Sequence, residues 1–339
     1  MTDRDARARA FVAQTRWAGA DLAPLAGDAS NRRYLRLTDP ANGATAVLMD
    51  APPDKGEDTR PFIAIANHLT SLGLSAPQIL HADISAGFLL IEDLGDPLFA
   101  RVIPQQPALE PALYEAATDV LLTLHSHPAP ADLPAYDAPL MAELAALAFD
   151  WYAAGLGPVP VETKQMFLSE MQALLAPLAA QSDVLIQRDY HAENLLWRPD
   201  RSGVARVGLL DFQDAMVGHR AYDLVSLLQD ARRDVPGDIA AGMIRHYTDQ
   251  SGCDPGRFAA AYHLLGAQRN LRILGVFARL CIRDAKPGYI DLIPRVWDHL
   301  MTDLAHPALA RVAPMILQAI PAPDPANLTR LRDQCAPTQ

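Results

Sequence analysis

Asp189, Asn194 and Asp211 are the residues of this chain whose types and spacing could do chemistry together. Asp189 lies in the polar run Gln187-Arg188-Asp189-Tyr190-His191-Ala192-Glu193-Asn194, which the apolar stretch Leu195-Leu196-Trp197 follows. A polar turn from Arg198 to Gly203 comes next, then Val207-Gly208-Leu209-Leu210 and Asp211-Phe212-Gln213. Two short apolar runs around a polar turn read as a β-hairpin. Asn194 enters its first strand and Asp211 leaves its second, so both belong to the open end, where directly opposed Cβ atoms lie about 5 Å apart. One magnesium ion could touch both side chains, while Asp189 on the preceding loop faces the same space. An acid that accepts the proton of an attacking hydroxyl, and oxygen ligands that hold a cation against phosphate charge, are what phosphoryl transfer requires.

The elements that must position these residues divide into two regions. Asp5 to Trp17 patterns as an amphipathic helix, and β-like runs follow at Arg33 to Leu37 and Ala46 to Asp50, separated by the turn Asp39-Pro40-Ala41-Asn42-Gly43. Pro61 suits the first turn of a helix whose apolar positions Phe62, Ile65, Ala66 and Leu69 keep helical spacing. Strand-like segments at Gln78 to Ala82 and Gly87 to Glu92 precede Asp93-Leu94-Gly95-Asp96. Beyond Gly95 the patterns are helical: Tyr114 to His125, Leu140 to Ala154, Val161 to Ala180, Tyr222 to Ala231, Ile239 to Gln250, Arg257 to Cys281 and Ile290 to Leu304. The expectation is an α+β chain with a lobe at 1–95 and a second at 96–339.

The spacing D-x-x-x-x-N, with a further Asp after a hairpin, is that of the kinase catalytic signature. Asp189-Tyr190-His191 and Asp211-Phe212-Gln213 resemble the corresponding words of the aminoglycoside phosphotransferase and choline kinase family, although Gln187 and Arg188 replace that family's usual His and Gly. Several runs are similar, more narrowly, to the bacterial anomeric kinases of N-acetylmuramate and N-acetylglucosamine that serve cell-wall recycling. These are Asp28 to Tyr34, Met49 to Pro53, Arg60-Pro61-Phe62, Asp211 to Ala215, Tyr222 to Leu228 and Gln268 to Leu271. The resemblance spans roughly Ala26 to Ala278. It implies a bilobal protein-kinase-like fold, with a small antiparallel-sheet N-lobe for nucleotide and a larger helical C-lobe whose insert at about 140–180 walls the acceptor pocket. ATP and Mg2+ are the implied cofactors, and the anomeric hydroxyl of an amino sugar the implied acceptor. An aminoglycoside phosphotransferase, a choline or homoserine kinase, and a silent nucleotide-binding regulatory module are the alternatives.

In these roles Asp189 is the base, and Asn194 and Asp211 hold the metal. Ser30 and Asn31 could fold over phosphates through backbone N–H groups, or form an ordinary hairpin turn. Val47-Leu48-Met49-Asp50 lacks the strand lysine that most kinases carry there, although Met49 on that strand is expected beside the nucleotide, and the helix after Pro61 lacks a glutamate to pair with such a lysine. Phosphate charge must then be met elsewhere, with Arg32, Arg33 and Lys55 as candidates. Glu92 and Leu94 flank the interlobe hinge, whose backbone would bond adenine. His191 borders the substrate or packs the loop; Gln213 and Arg269 are acceptor contacts by resemblance. Asp223 caps a helix or braces the catalytic loop, and Arg272, Arg279 and Arg283 belong to a solvated helix face. A formal charge of −11 argues against a nucleic-acid partner. Cys253, Cys281 and Cys335 are too few and scattered for a disulfide framework, and no run approaches a membrane span. A cytoplasmic location is the expectation.

Overall fold

The computed structural model describes residues 3–25 and 31–335. The described helices run, in chain order, α1 (Asp3–Val12), α2 (Arg60–Ser71), α3 (Phe99–Gln105), α4 (Glu110–His125), α5 (Ala138–Ala145), α6 (Ala154–Leu156) and α7 (Val161–Ala179). They continue with α8 (Tyr222–Leu228), α9 (Gly237–Ser251), α10 (Pro255–Ile282), α11 (Ile293–Leu304), α12 (Ala313–Ala319) and α13 (Pro325–Asp333). The strands are β1 (Asp21–Pro24), β2 (Arg33–Thr38), β3 (Thr45–Asp50), β4 (Ile79–Asp83), β5 (Phe88–Glu92), β6 (Val184–Ile186), β7 (Leu195–Trp197), β8 (Val207–Leu209) and β9 (Met216–Gly218).

Two compact units emerge, one from residues 1–123 with 192–215 and the other from 124–191 with 216–339. This is not a cut at residue 95. Residues 96–123 and the β7–β8 hairpin go with the sheet, because Leu209 N–H donates to Ser75 O (2.9 Å) and Trp197 N–H to Pro97 O (2.8 Å).

The first unit is a five-stranded antiparallel sheet of order β1-β2-β3-β5-β4. Period-two alternation divides the side chains of β3 between the faces. Ala46 and Leu48 join Leu37, Phe88 and Leu90 in a core closed by Ala8, Phe11, Val12 and Trp17. Asp50 projects from β3 as a fully buried carboxylate held by Arg4 (2.5 Å) and Arg33 (2.5 Å). Val47 and Met49 take the opposite face. On α2, Phe62, Ile65, Ala66 and Leu69 are buried, as their spacing requires.

The second unit is built around the 28-residue α10, which packs against α11, α8, α5 and a π-helical turn at Ala148–Ala153. That turn interrupts what reads in sequence as one helix from Leu140 to Ala154. Gly275 permits the contact, since a Cβ there would meet the backbone of Leu147 and lie 2.6 Å from Ala148 N. The buried Asp303 accepts from Gln229 Nε2 (2.9 Å) and Asn270 Nδ2 (3.1 Å) and pairs with His263 Nδ1 (2.9 Å). This network ties α11 to α10. Among the described residues no helix is long and apolar enough to cross a membrane.

Candidate active site

In the first unit the hairpin forms, with Leu195 opposite Leu209 and Trp197 opposite Val207. One residue further out, Leu210 N–H donates to Asn194 O (3.0 Å), which extends the ladder to its open end. Asn194 and Asp211 therefore meet, and the Asn194 amide reaches Asp211 Oδ2 at 3.5 Å. Asp211 holds a left-handed backbone (φ 56°), a conformation costly for any residue with a Cβ. Gln213 Nε2 donates to Asp211 Oδ1 at 2.8 Å. The resemblance assigns Gln213 to the acceptor; here its amide fixes the orientation of the Asp211 carboxylate.

Both residues line a cleft of about 470 Å³ in the same unit. Val47, Ile91, Leu94, Leu196, Leu210 and Phe62 supply its apolar walls, and Glu92, Asp93 and Asp96 its acidic edge. The Glu92 carboxylate is engaged by Arg198 (3.2 Å) and Arg201 (3.5 Å). Gly95 turns the chain at this edge with φ 87°, and its N–H donates to Asp93 Oδ1 (2.9 Å). Arg36, directly opposite Val47 in the β2–β3 register, reaches into the cleft. Its guanidinium pairs with Asp93 (2.7 Å) and Asp96 (2.8 Å), and these carboxylates, Asp96 first, hold its proton more firmly than in a free arginine. Sequence reasoning passed over Arg36, although its sharing of a strand face with Tyr34 was a usable signal.

The other residues expected around the nucleotide are placed differently. Ser30 lies outside the described residues. Asn31 N–H donates to Glu57 Oε1 (3.1 Å), and its amide to Lys55 O (3.3 Å). Arg32 pairs with Glu57 (2.8 Å). Arg33 is spent on Asp50 and Asp5 (3.0 Å), so its charge is already met by two carboxylates. Met49 is buried, 1% exposed. Asn31, Arg33 and Met49 are not among the residues lining the cleft.

In the second unit, the loop carrying Asp189 is held by three side chains. Asp223, fully buried at the start of α8, accepts from the backbone N–H groups of Gln187 (2.6 Å) and Arg188 (2.9 Å). Ser226 Oγ donates to Arg188 O (3.2 Å), and Arg269 donates to Ser226 Oγ (2.8 Å) and to Gln229 O (3.3 Å). The resemblance makes Arg269 an acceptor contact; it is 4% exposed, and these bonds make it a brace. Arg188 has φ 73°, which explains why the related family writes Gly at this position. His191 is buried beside Asp189, Asp230, Arg232 and Arg269, and burial above all pushes its imidazole down to about 4, so it is neutral at pH 7. Arg272 departs from the solvated face expected of it: it is half-buried, and its guanidinium donates to Tyr222 Oη (3.3 Å).

With this geometry the comparison with known proteins is decisive. Residues 21–261 match the family model described as "Phosphotransferase enzyme family". The chain belongs to that family. It is 39% identical, over 92% of its length and 95% of the relative's, to an N-acetylmuramate/N-acetylglucosamine kinase of Caulobacter vibrioides. A Pseudomonas aeruginosa protein of the same name is 34% identical over 88% of each chain. Among solved structures, an ADP-bound aminoglycoside phosphotransferase (TM-score 0.60, 15% identity, 88% of this chain and 97% of that one) shares the fold. So does a choline kinase from Streptococcus pneumoniae (TM-score 0.60, 15% identity, 89% of this chain and 100% of that one). The chain is thus a phosphotransferase of the kinase type with a protein-kinase-like fold.

The donor set suits the metal that such enzymes use. An amide oxygen and a carboxylate are hard donors, and Mg2+ takes one or two protein oxygens, with waters and phosphates completing its shell. Asn194 and Asp211, brought together and oriented by Gln213, meet that requirement.

Proposed function

We propose that this phosphotransferase moves the γ-phosphoryl group of ATP to the anomeric hydroxyl of N-acetylmuramate or N-acetylglucosamine. The carrying observation is the 39% identity to a kinase named for those sugars, over nearly the whole of both chains. The apolar cleft of the first unit takes the adenine, with the hinge backbone at Glu92 and Leu94 bonding its edge. Asn194 and Asp211 hold Mg2+, which when bound neutralises phosphate charge. Asp189 orients the sugar hydroxyl and takes its proton late, since the hydroxyl is a weak acid and positioning matters more than basicity. The brace of Asp223, Ser226 and Arg269 supplies that positioning.

The test is magnesium-dependent ATP turnover against a panel of amino sugars, aminoglycosides and choline. Expected is turnover of the two N-acetylated sugars, with loss of their reducing end and formation of an acid-labile phosphate ester. Asp189→Asn should abolish turnover and keep nucleotide binding. Turnover of aminoglycosides or choline with none of the sugars would overturn the proposal.

A further inference from the structure

Two guanidinium groups, those of Arg188 and Arg272, stand on one aromatic pair beside the Asp189 loop in the second unit. Arg188 places its guanidinium over the Tyr136 ring, 5.7 Å from the centroid. Arg272 reaches the same aromatic pair from α10, through Tyr222 Oη at 3.3 Å. Tyr222 Oη and Tyr136 Oη are 3.3 Å apart, and the two rings meet edge to face with centroids 5.0 Å apart. Tyr136 Oη donates in turn to Gln268 Oε1 (3.3 Å), and Gln268 Nε2 is fixed on Met141 O (2.9 Å). Both tyrosines and Gln268 are buried, so this chain is rigid.

The Arg272 bond goes to a neutral phenol, which satisfies one donor of a five-donor fork. Building a charge into a half-buried position costs solvation, and a neutral partner recovers little of it. Arg188, the residue before Asp189, stands on the same tyrosine pair, so the Arg272 guanidinium belongs to the surroundings of the Asp189 loop. An acceptor carrying a carboxylate would complete a bidentate pair, for which the planar guanidinium is shaped.

We propose that Arg272, fixed by the Tyr222–Tyr136–Gln268 chain, recognises a carboxylate substituent on the acceptor and sets the preference for an acidic over a neutral amino sugar. The inference rests on the amino-sugar reading above. It predicts a discrimination that a structural or phosphate-binding arginine would not give.

The experiment compares steady-state kinetics on N-acetylmuramate, which has the carboxylate, its methyl ester, which lacks the charge, and N-acetylglucosamine. These are measured with the wild type, Arg272→Met and Arg272→Lys. In Arg272→Met, KM for N-acetylmuramate should rise about 10- to 100-fold, the loss expected for a charge-assisted bidentate pair. For the ester and for N-acetylglucosamine it should change less than threefold, with kcat on all three largely kept. Arg272→Lys should recover part of the loss on N-acetylmuramate alone. Wild-type kinetics give the same answer without any variant, as the ester should show a KM raised toward that of Arg272→Met. A fall in kcat of equal size on all acceptors would assign Arg272 to the phosphoryl group or the loop and overturn the proposal. So would a wild type indifferent to esterification. Turnover of neither sugar by the wild type would overturn the amino-sugar reading itself, an outcome distinct from equal loss on both.

Discussion

Asp223→Ala should uncouple the chemical step from nucleotide binding. The Asp223 carboxylate satisfies the buried N–H groups of Gln187 and Arg188, and each donor left without a partner costs about 1–3 kcal/mol. Those bonds also hold Arg188 at φ 73°, a conformation that costs a residue with a Cβ about 1–2 kcal/mol. Without them the loop should relax, and Asp189, the next residue, moves with it. A misplacement of about 1 Å is enough to lower kcat roughly 100-fold. KM for ATP should stay within threefold, because none of the residues from Gln187 to Ala192 lines the cleft of the first unit. Adding Arg188→Gly removes the left-handed penalty and should recover about tenfold in kcat, the rate equivalent of about 1.4 kcal/mol. Stopped-flow or steady-state assays on the single and double variants, with circular dichroism to confirm folding, measure both steps. A folded Asp223→Ala with wild-type kcat would refute the reasoning, as would a double variant slower than the single one. Asp223 also leaves a pH signature. Burial, which outweighs its two backbone bonds, pushes this carboxyl from 3.8 up to about 7. The folded chain therefore keeps a proton that the unfolded chain has lost, so this group's contribution to stability falls as pH rises from about 4 to 7 and is flat above. Asp223→Asn should erase that slope in denaturant titrations.

Arg36→Met should raise KM for ATP about tenfold by removing a guanidinium from the cleft wall, whereas Arg33→Ala should leave it within threefold and lower the unfolding midpoint instead, because Arg33 serves Asp50 and Asp5. Gln213→Leu should raise the magnesium concentration for half-maximal rate several-fold at unchanged saturating kcat, since it frees the Asp211 carboxylate to rotate; a magnesium titration checks it. Gly275→Ala forces a methyl group against the Leu147 backbone and should cost about 1–3 kcal/mol or more in thermal or denaturant unfolding. Burial pushes His191 and His219 down to about 4 and His125 to about 3, so these groups lose stability as pH falls from 6.5 toward 4; His125→Phe should flatten the acid limb of a stability profile even as it lowers the plateau.

The elements that sequence reads well are those whose local pattern carries their own burial. The strands at Arg33 to Leu37 and Ala46 to Asp50, the helix after Pro61 and the long helix from Arg257 were each legible to within a few residues. The hairpin that pairs Asn194 with Asp211 was legible for the same reason. The polar edge strand β1 was not, because Asp21-Leu22-Ala23-Pro24 buries little and alternates weakly. The three-residue ladder of β6 and β9 escaped because its partners stand some thirty residues apart, with the whole β7–β8 hairpin between them. Polar side chains were read less well than strands, and for one reason. A guanidinium on a helix or strand has the same sequence signature whether it meets solvent, a carboxylate or a ligand. Arg33 and Arg269 read as ligand contacts and are engaged by Asp50 and Ser226, whereas Arg36 went unread and lines the cleft, and Arg272 read as a solvated face and bonds Tyr222. The fate of Arg33 was decided by Asp50, seventeen residues away and buried on the other side of a strand pair.

Each unit positions its own chemistry with its own residues, and this gives the mutational data a definite structure. Gln213 orients Asp211 inside the first unit, and Asp223, Ser226 and Arg269 orient the Asp189 loop inside the second. Variants of Gln213 and of Asp223 share no hydrogen-bond partner, so their effects on log kcat/KM should add to within a few tenths of a kcal/mol. Asp223 and Arg188 share a bond and should not add. A strong interaction energy between Gln213→Leu and Asp223→Asn would mean that the Asn194–Asp211 pair and the Asp189 loop are not independently supported. The division of labour argued from these hydrogen bonds would then be wrong, even if every individual variant behaved as expected.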